Sequence, residues 1–136
     1  KKINTNQLTE NQVKVFDALL KSKEPLSAYK ILDKLRNKGL RAPLQIYRAL
    51  DKLIEYGMVH RLKSLNSFVV CQQETCDGKK DKETIIFIIC DICSSVKEMI
   101  NQRFVNSVKN IAENDNFFLR ETIVELHGKC SNCQSK

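Results

Sequence analysis

The sequence predicts an α+β protein in which a basic helical unit ending in a β-hairpin precedes a smaller α/β unit that carries the cysteines. Charge is divided unevenly: residues 1–70 hold 14 Lys and Arg against 6 Asp and Glu, whereas residues 71–136 hold 9 against 10. None of the six cysteines lies in residues 1–70. We therefore expect two domains, residues 1–72 and 73–136, joined by a hinge at about residues 71–84.

Three helices are predicted in the basic unit. The first begins after Thr9, which can form a capping box with Gln12. Ser27 is a suitable N-cap for the second helix, and Gly39 suits the position after its last turn. Pro43 suits the first position of the third helix. The predicted apolar faces comprise Val13, Phe16, Leu19 and Leu20 in the first helix, Ala28, Ile31, Leu32 and Leu35 in the second, and Leu44, Tyr47, Leu50, Leu53 and Ile54 in the third.

Two strand-like runs follow at residues 59–62 and 68–71, and a polar turn at residues 63–67 links them. Three helices and a hairpin in this order are typical of an N-terminal winged helix-turn-helix, whose third helix enters the DNA major groove. The positive charge of this unit also favours a polyanionic partner, double-stranded DNA. The residues expected to contact DNA are Arg41, Gln45, Tyr47, Arg48, Lys52, Arg61 and Lys63.

The expected DNA contacts have different roles. Arg48 can pair bidentately with a guanine edge, and Gln45 with adenine. Arg41, Arg61 and Lys63 would contact phosphates and fix the position of the unit on the duplex. The alternatives are core packing for Tyr47, which shares the apolar stripe, and a solvated helix face for Arg48.

Four of the cysteines form two C-x-x-C pairs, Cys90 with Cys93 and Cys130 with Cys133. Because the N-terminus has no apolar core typical of a secretory signal, metal ligation is favoured over disulfides. Four thiolates form the tetrahedral set that structural zinc prefers. A thiol redox switch is the main alternative for such motifs.

The residues between the two cysteine pairs are long enough to fold as elements of their own. We expect strands at residues 95–99 and 118–126, with a helix between them. The apolar side of that helix comprises Phe104, Val105, Val108, Ile111 and Ala112. With the Ile-rich strand at residues 85–90, this gives a small α/β unit in which zinc clamps the last strand to the first.

Three residues of ligand type lie outside the four-cysteine set: His60, Cys71 and Glu98. They offer nitrogen, sulfur and oxygen donors near the junction of the two units, and Cys76 and Glu83 lie nearby in the sequence. Taken singly, each has an ordinary structural role as its alternative. Together they are a hypothesis for a second metal site. The role of His127 is open; support of the nearby cysteine pair is one interpretation.

The sequence resembles the ferric uptake regulator family and, within it, the zinc uptake regulators. Several motifs in register carry the resemblance, which covers nearly the whole chain from Thr9 to Cys133. The motifs are IYRALDKL at 46–53, GMVHR at 57–61, NSFVVC at 66–71, ICDIC at 89–93, VKE at 96–98 and HGKC at 127–130.

The resemblance implies a zinc-responsive, homodimeric transcriptional repressor that binds palindromic operator DNA near zinc-transport genes. It places Tyr47 and Arg48 on the recognition helix and makes residues 73–136 the dimerisation domain. The four C-x-x-C cysteines would hold a structural zinc. His60, Cys71 and Glu98 would hold a regulatory zinc between the domains. The implied content is about two Zn²⁺ per chain.

One departure from the family pattern concerns the fourth ligand of the regulatory zinc. The family supplies a histidine from a His-rich stretch before the Ile-rich strand, whereas residues 76–84 of this chain contain none. Position favours Glu83, but Cys76 is the softer ligand and suits zinc better. The missing stretch and the soft ligand Cys71 argue against iron and manganese sensing. The alternative is a member of the same family that senses another metal or thiol redox state.

The sequence excludes several other classes. The longest apolar run, residues 85–90, is too short to cross a membrane, and we expect a cytoplasmic protein. There is no H-E-x-x-H run, phosphate-binding glycine loop or nucleophile motif. We therefore expect neither an enzyme nor a small organic substrate.

Overall fold

The structure, a computed structural model, describes residues 7–71, 84–120 and 122–134. The chain forms two compact units: unit 1 ends at residue 79, and unit 2 begins at residue 80. The predicted boundary at residues 72 and 73 lies outside the described residues, so the domain limits stay a prediction. None of the described helices combines the length and the apolar composition that a membrane-spanning helix requires.

Unit 1 contains the three predicted helices. They are α1 (Glu10–Lys21), α2 (Ala28–Leu35), which continues into a 3₁₀ turn at Arg36–Lys38, and α3 (Pro43–Glu55). The capping box at α1 is confirmed, because Gln12 N–H donates to Thr9 Oγ1 at 3.3 Å and Thr9 N–H donates to Gln12 Oε1 at 3.1 Å. Ser27 Oγ accepts from Lys30 N–H at 3.2 Å at the start of α2. Gly39 follows the 3₁₀ turn at φ +95°, a left-handed conformation that favours glycine.

A hairpin completes unit 1. Its strands β1 (Val59–Leu62) and β2 (Ser67–Val70) are antiparallel, and His60 lies opposite Val69. Phe68 N–H donates to Leu26 O at 2.8 Å, and Leu26 N–H donates to Phe68 O at 3.1 Å, which attaches the hairpin to the link between α1 and α2. The predicted order of three helices and a hairpin is therefore confirmed.

The predicted apolar face of α1 is partly wrong. Val15 and Leu19 are buried, whereas Val13 is 41% exposed and Leu20 is 58% exposed. Apolar residues occur on two sides of this helix, and α2 and α3 pack against the side of Val15 and Leu19. Tertiary contacts therefore decide which side is buried.

The face predicted for α3 is also shifted. Ile46, Ala49, Leu50 and Leu53 are buried, and Leu44 is 58% exposed. Burial of Ile46 and Ala49 turns the opposite side of the helix toward solvent.

Unit 2 contains a three-stranded sheet and one longer helix. The elements are β3 (Ile86–Cys90), β4 (Val96–Met99), α4 (Gln102–Asn114), β5 (Val124–Gly128) and the short α5 (Ser131–Gln134). The strand order is β4-β3-β5, with β3 antiparallel to β4 and parallel to β5. A parallel pair needs a crossover connection, and α4 lies within it.

The last strand begins later than predicted. The sequence predicts it at residues 118–126, but β5 spans Val124–Gly128, and Phe118 is 89% exposed. A strand exists only where it has a partner, and β3 offers five residues, from Ile86 opposite Val124 to Cys90 opposite Gly128. This register brings the end of β5 beside the first cysteine pair.

Candidate metal centre and nucleic-acid face

The four C-x-x-C cysteines form one cluster in unit 2. Cys90 ends β3, Cys93 lies in the turn after it, and Cys130 and Cys133 lie at α5. Their sulfur atoms all lie within 4.8 Å of one another, and Cys93 Sγ is 3.8 Å from Cys130 Sγ. A tetrahedral zinc site with metal–sulfur bonds of about 2.3 Å has sulfur–sulfur edges of about 3.8 Å. All four are free cysteines, so donor type, number and spacing fit a structural zinc ion.

Backbone N–H groups around the first cysteine favour its thiolate form. Cys90 Sγ accepts from the N–H groups of Cys93 at 3.5 Å, Cys130 at 3.4 Å and Ile92 at 3.4 Å. The bonds from Cys93 and Cys130 are the main cause that lowers the pKa of Cys90 to about 6. A thiolate at neutral pH is the form that binds a metal.

The pKa values of two other cysteines of the cluster are shifted in opposite directions by their neighbours. The Ser95 hydroxyl, 3.3 Å from Cys93 Sγ, lowers the pKa of Cys93. The hydrogen bond with Cys130, together with burial, raises the pKa of Cys133 to about 12. Negative charge on neighbouring sulfurs opposes ionisation of the last thiol, and a shared dication would remove that opposition. Ser95 was not among the predicted site residues; its only signal in the sequence is its position two residues after Cys93.

His127 lies between two carboxylates beside this cluster. Its Nδ1 is 3.7 Å from Asp91 Oδ1, and its Nε2 is 3.7 Å from Glu125 Oε1. Asp91 belongs to the first cysteine pair, while Glu125 and His127 belong to β5. The arrangement suits the supporting role considered for His127 from the sequence.

The exposed side of α3 carries the polar residues predicted to contact DNA. Gln45, Arg48 and Lys52 are exposed and follow one another at intervals of three and four, so they form one stripe. Tyr47 is half-buried and packs against the core, which is the alternative considered for it. Arg41 is exposed just before the helix.

Several of these side chains already have partners. Lys52 Nζ lies 3.1 Å from Glu55 Oε2, and this contact raises the pKa of Lys52. Arg61, exposed on β1, donates to Asn66 Oδ1 at 2.8 Å. Asn66 holds the hairpin turn at φ 48° and was not among the predicted site residues. Its signal is the preference of asparagine for left-handed turn positions. Lys63 is exposed in the same turn.

The hairpin also brings together two of the predicted regulatory ligands. Cys71 follows β2, and its N–H donates to Met58 O at 2.8 Å, so it lies on the same side of the hairpin as His60. A ligand nitrogen of His60 and Cys71 Sγ lie within 4.8 Å of each other. Burial lowers the pKa of His60 to about 4, so its imidazole is neutral near pH 7, which is the form that ligates metals.

The other predicted ligands come from other segments of the chain. Glu98 is on β4 of unit 2, opposite Phe87, and is 5% exposed. Cys76 and Glu83, the two candidates for a fourth ligand, lie outside the described residues. The Cys71 sulfur is disulfide-bonded, so Cys71 can bind zinc only after the disulfide is reduced and the thiolate is released.

Comparisons with known proteins agree over nearly the whole chain. The model of the ferric uptake regulator family matches residues 4–127. The Zinc uptake regulation protein of Escherichia coli (strain K12) is 34% identical over 128 residues, which cover 93% of this chain and 72% of that protein. The protein of the same name from Shigella flexneri gives the same figures.

Solved structures give the same result. A zinc uptake regulator complexed with zinc and DNA has a TM-score of 0.85 and 34% identity, covering 95% of this chain and 84% of that chain. The holo form of XcZur has a TM-score of 0.84 and 32% identity, covering 95% of this chain and 87% of that chain. This chain therefore belongs to the ferric uptake regulator family, whose members are regulators and not enzymes, as the sequence predicted.

Proposed function

We propose that this protein is a zinc-responsive transcriptional repressor that binds palindromic operator DNA as a homodimer in the cytoplasm and controls zinc uptake genes. The observation that carries the proposal is its similarity, over 95% of the chain, to a zinc uptake regulator solved with both zinc and DNA. In this proposal the four-sulfur cluster of unit 2 binds zinc, and the polar face of α3 contacts DNA.

The DNA contacts follow from the orientation of α3. Its buried side fixes the helix on the core, which leaves Gln45, Arg48 and Lys52 available to the major groove. Arg48 carries five N–H donors in a planar group that matches the guanine edge. Arg41, Arg61 and Lys63 would contact phosphates and fix the register without selecting sequence.

The two zinc ions proposed for each chain would have different roles. The cluster of Cys90, Cys93, Cys130 and Cys133 would bind the structural ion, which ties the end of β5 to the end of β3. A second ion would be held by His60, Cys71 and Glu98, with Cys76 or Glu83 as the fourth ligand. Because its ligands come from both units, binding of this ion would restrict how the DNA-binding units are presented. Cys71, as a soft ligand, favours zinc over hard-ligand metals.

Apolar residues that unit 2 leaves exposed support the homodimer. On α4, Ile111 is 69% exposed and Phe104 is 36% exposed, and on β5 Leu126 is 51% exposed. Val105 and Ala112 on the same helix are buried, so Phe104 and Ile111 lie on a side of α4 that its own chain leaves exposed. An amphipathic helix gains stability by burying its apolar face, and a second copy of unit 2 would supply that burial.

The test is a DNA-binding titration of the full chain against Zn²⁺, Fe²⁺ and Mn²⁺ in the presence of a thiol reductant. The duplex is first selected from a randomised library by the zinc-loaded protein, and metal content is measured in parallel. We expect zinc to act at the lowest free concentration and about two zinc ions per chain at saturation. Greater potency of iron than of zinc would contradict the proposal.

The second candidate is a regulator of the same family that senses thiol redox state, and the disulfide at Cys71 favours it. The two candidates differ in what changes DNA binding. A redox sensor responds to oxidant and reductant at constant zinc, whereas a zinc sensor kept reduced responds to free zinc alone.

A further inference from the structure

Gln45, at the third position of α3, has its amide oxygen engaged by the protein itself. Gln45 Oε1 accepts from the backbone N–H of Arg41 and of Ala42, each at 3.1 Å. Ala42 is the N-cap residue and has no side-chain acceptor, so Gln45 provides the side-chain capping at the start of this helix.

These two hydrogen bonds determine which end of the amide is available to a partner. Only the carbonyl oxygen of a glutamine amide can accept, so its orientation follows from the two backbone donors. Both lone pairs of Oε1 are used. The Nε2 group keeps its two N–H donors, which have no acceptor within the described part of the chain, and the residue is exposed.

We infer that Gln45 is a specificity-determining residue that offers only donors to a base edge and therefore favours guanine. Guanine presents two acceptors in the major groove, N7 and O6, whereas adenine and thymine present one acceptor each, N7 and O4, and cytosine presents the N4 amino donor. The bidentate glutamine–adenine pair expected from the sequence needs Oε1 to accept from adenine N6, and that oxygen is already occupied. The inference rests on the proposed function, in which α3 lies in the major groove.

The informative substitution is Gln45→Glu. A carboxylate oxygen can accept from the same two N–H groups, and negative charge is favourable at a helix N-terminus, so the start of α3 is preserved. The outward atom changes from a donor to an acceptor, and a carboxylate accepts from cytosine N4. The variant should therefore exchange guanine for cytosine at one position of each half-site.

The experiment selects duplexes from a randomised library with the zinc-loaded full chain, wild type and Gln45→Glu, and then measures affinity for the two duplexes that differ at the selected position. We expect about a tenfold preference for guanine in the wild type and about a tenfold preference for cytosine in the variant, the scale of one base-edge contact. The melting temperature of Gln45→Glu should not fall, whereas that of Gln45→Met should.

The matched control is Asn11→Glu on α1, which adds the same charge to unit 1 at an exposed position. It should weaken binding to all duplexes alike and keep the preference for guanine. If Gln45→Glu behaves like this control, Gln45 is only a cap and the inference is wrong. Selection of adenine by the wild type would also overturn it. If the wild type selects no sequence, the proposed function fails together with the inference.

Discussion

At the scale of single residues, the hairpin of unit 1 places a neutral imidazole near a sulfur. His60 and Cys71 share one side of the hairpin because β1 and β2 pair in a fixed antiparallel register. A one-residue slip of either strand would move one of the two to the other side. The pairing that builds the hairpin therefore also places two donors of different chemistry side by side.

Replacing Cys71 with serine tests its proposed role in zinc sensing. The difference in operator affinity between zinc-replete and zinc-poor protein should disappear, because the regulatory ion loses its soft ligand. Coupling of about 1–3 kcal/mol between two sites corresponds to a 5- to 150-fold change in affinity. Fluorescence anisotropy with labelled duplex, at buffered free zinc and under reductant, measures the change. The variant should keep one tightly bound zinc, its dimer and its fold; a variant that still needs added zinc to bind DNA would refute the assignment.

His60 gives the metal-free protein a pH-dependent stability. Its pKa of about 4 in the folded protein lies below the value of 6.5 in the unfolded chain, so the unfolded chain binds the proton more tightly. The free energy of unfolding should therefore decrease as pH falls from 6.5 toward 4, by up to about 3 kcal/mol at about 1.4 kcal/mol per pKa unit. Urea unfolding of chelator-treated wild type and His60→Gln at pH 7.5, 6 and 5 checks this. Equal losses in both proteins would show that His60 does not contribute.

At the scale of secondary-structure elements, the four cysteines join segments that are distant in the sequence. Cys90 lies at the end of β3 and Gly128 of β5 lies opposite it, so the parallel pair ends where the sulfur cluster begins. Asp91 N–H donates to Gly128 O at 2.8 Å and extends this connection. A metal in the cluster would hold β5 in place at the point where its ladder with β3 ends.

Loss of one sulfur from this cluster should destabilise unit 2. In Cys130→Ser the site has three thiolates, and zinc binding that is coupled to folding is weakened. We expect zinc to be released at a chelator concentration that leaves the wild type loaded, and a lower melting temperature. The contrasting variant is Cys71→Ser. It should lose the proposed regulatory zinc, whereas the melting temperature of unit 2 should stay unchanged. An unchanged melting temperature of Cys130→Ser would contradict the structural role.

The sequence predicted those elements whose signals are local. Capping by Thr9 and Ser27 and the proline at the start of α3 depend on neighbours within a few residues, and these helix starts are where the sequence predicts them. The buried side of α1 and the limits of β5 depend on partners that are distant in the sequence. Periodicity cannot choose between two apolar sides of α1, and an apolar run at Phe117 and Phe118 does not form a strand without a partner.

Among the functional residues, too, those with a local sequence signal could be predicted, whereas those that depend on side-chain conformation could not. Spacing within C-x-x-C predicted the four cysteines that the structure brings together. The occupied oxygen of Gln45 and the hydrogen bond between Arg61 and Asn66 could not be predicted, because they depend on side-chain conformations that the helix start and the hairpin turn impose.

At the scale of the whole molecule, two copies are needed to place two α3 helices on a palindromic operator. Successive major-groove faces are about 34 Å apart, a distance set by one helical turn of DNA. A single chain contributes one such helix, so in the proposed homodimer the affinity for a palindrome would depend on association of the C-terminal units.

Replacing Ile111 with glutamate should separate the two copies. Ile111 is 69% exposed on α4. A dimer with two-fold symmetry would bury two copies of this side chain, one from each chain. Burial of one isoleucine contributes about 1.5–3 kcal/mol, so loss of two contacts and introduction of two charges should weaken association by at least a factor of about 100. Sedimentation velocity measures the dimer fraction, and Lys109→Gln, an exposed substitution on the same helix that changes the charge by the same amount, is the matched control. The Ile111→Glu monomer should bind a half-site as well as the control does and the palindrome far more weakly, since only the dimer can engage both half-sites. A variant that stays dimeric at the concentration where the control is dimeric would place the interface on another face of unit 2.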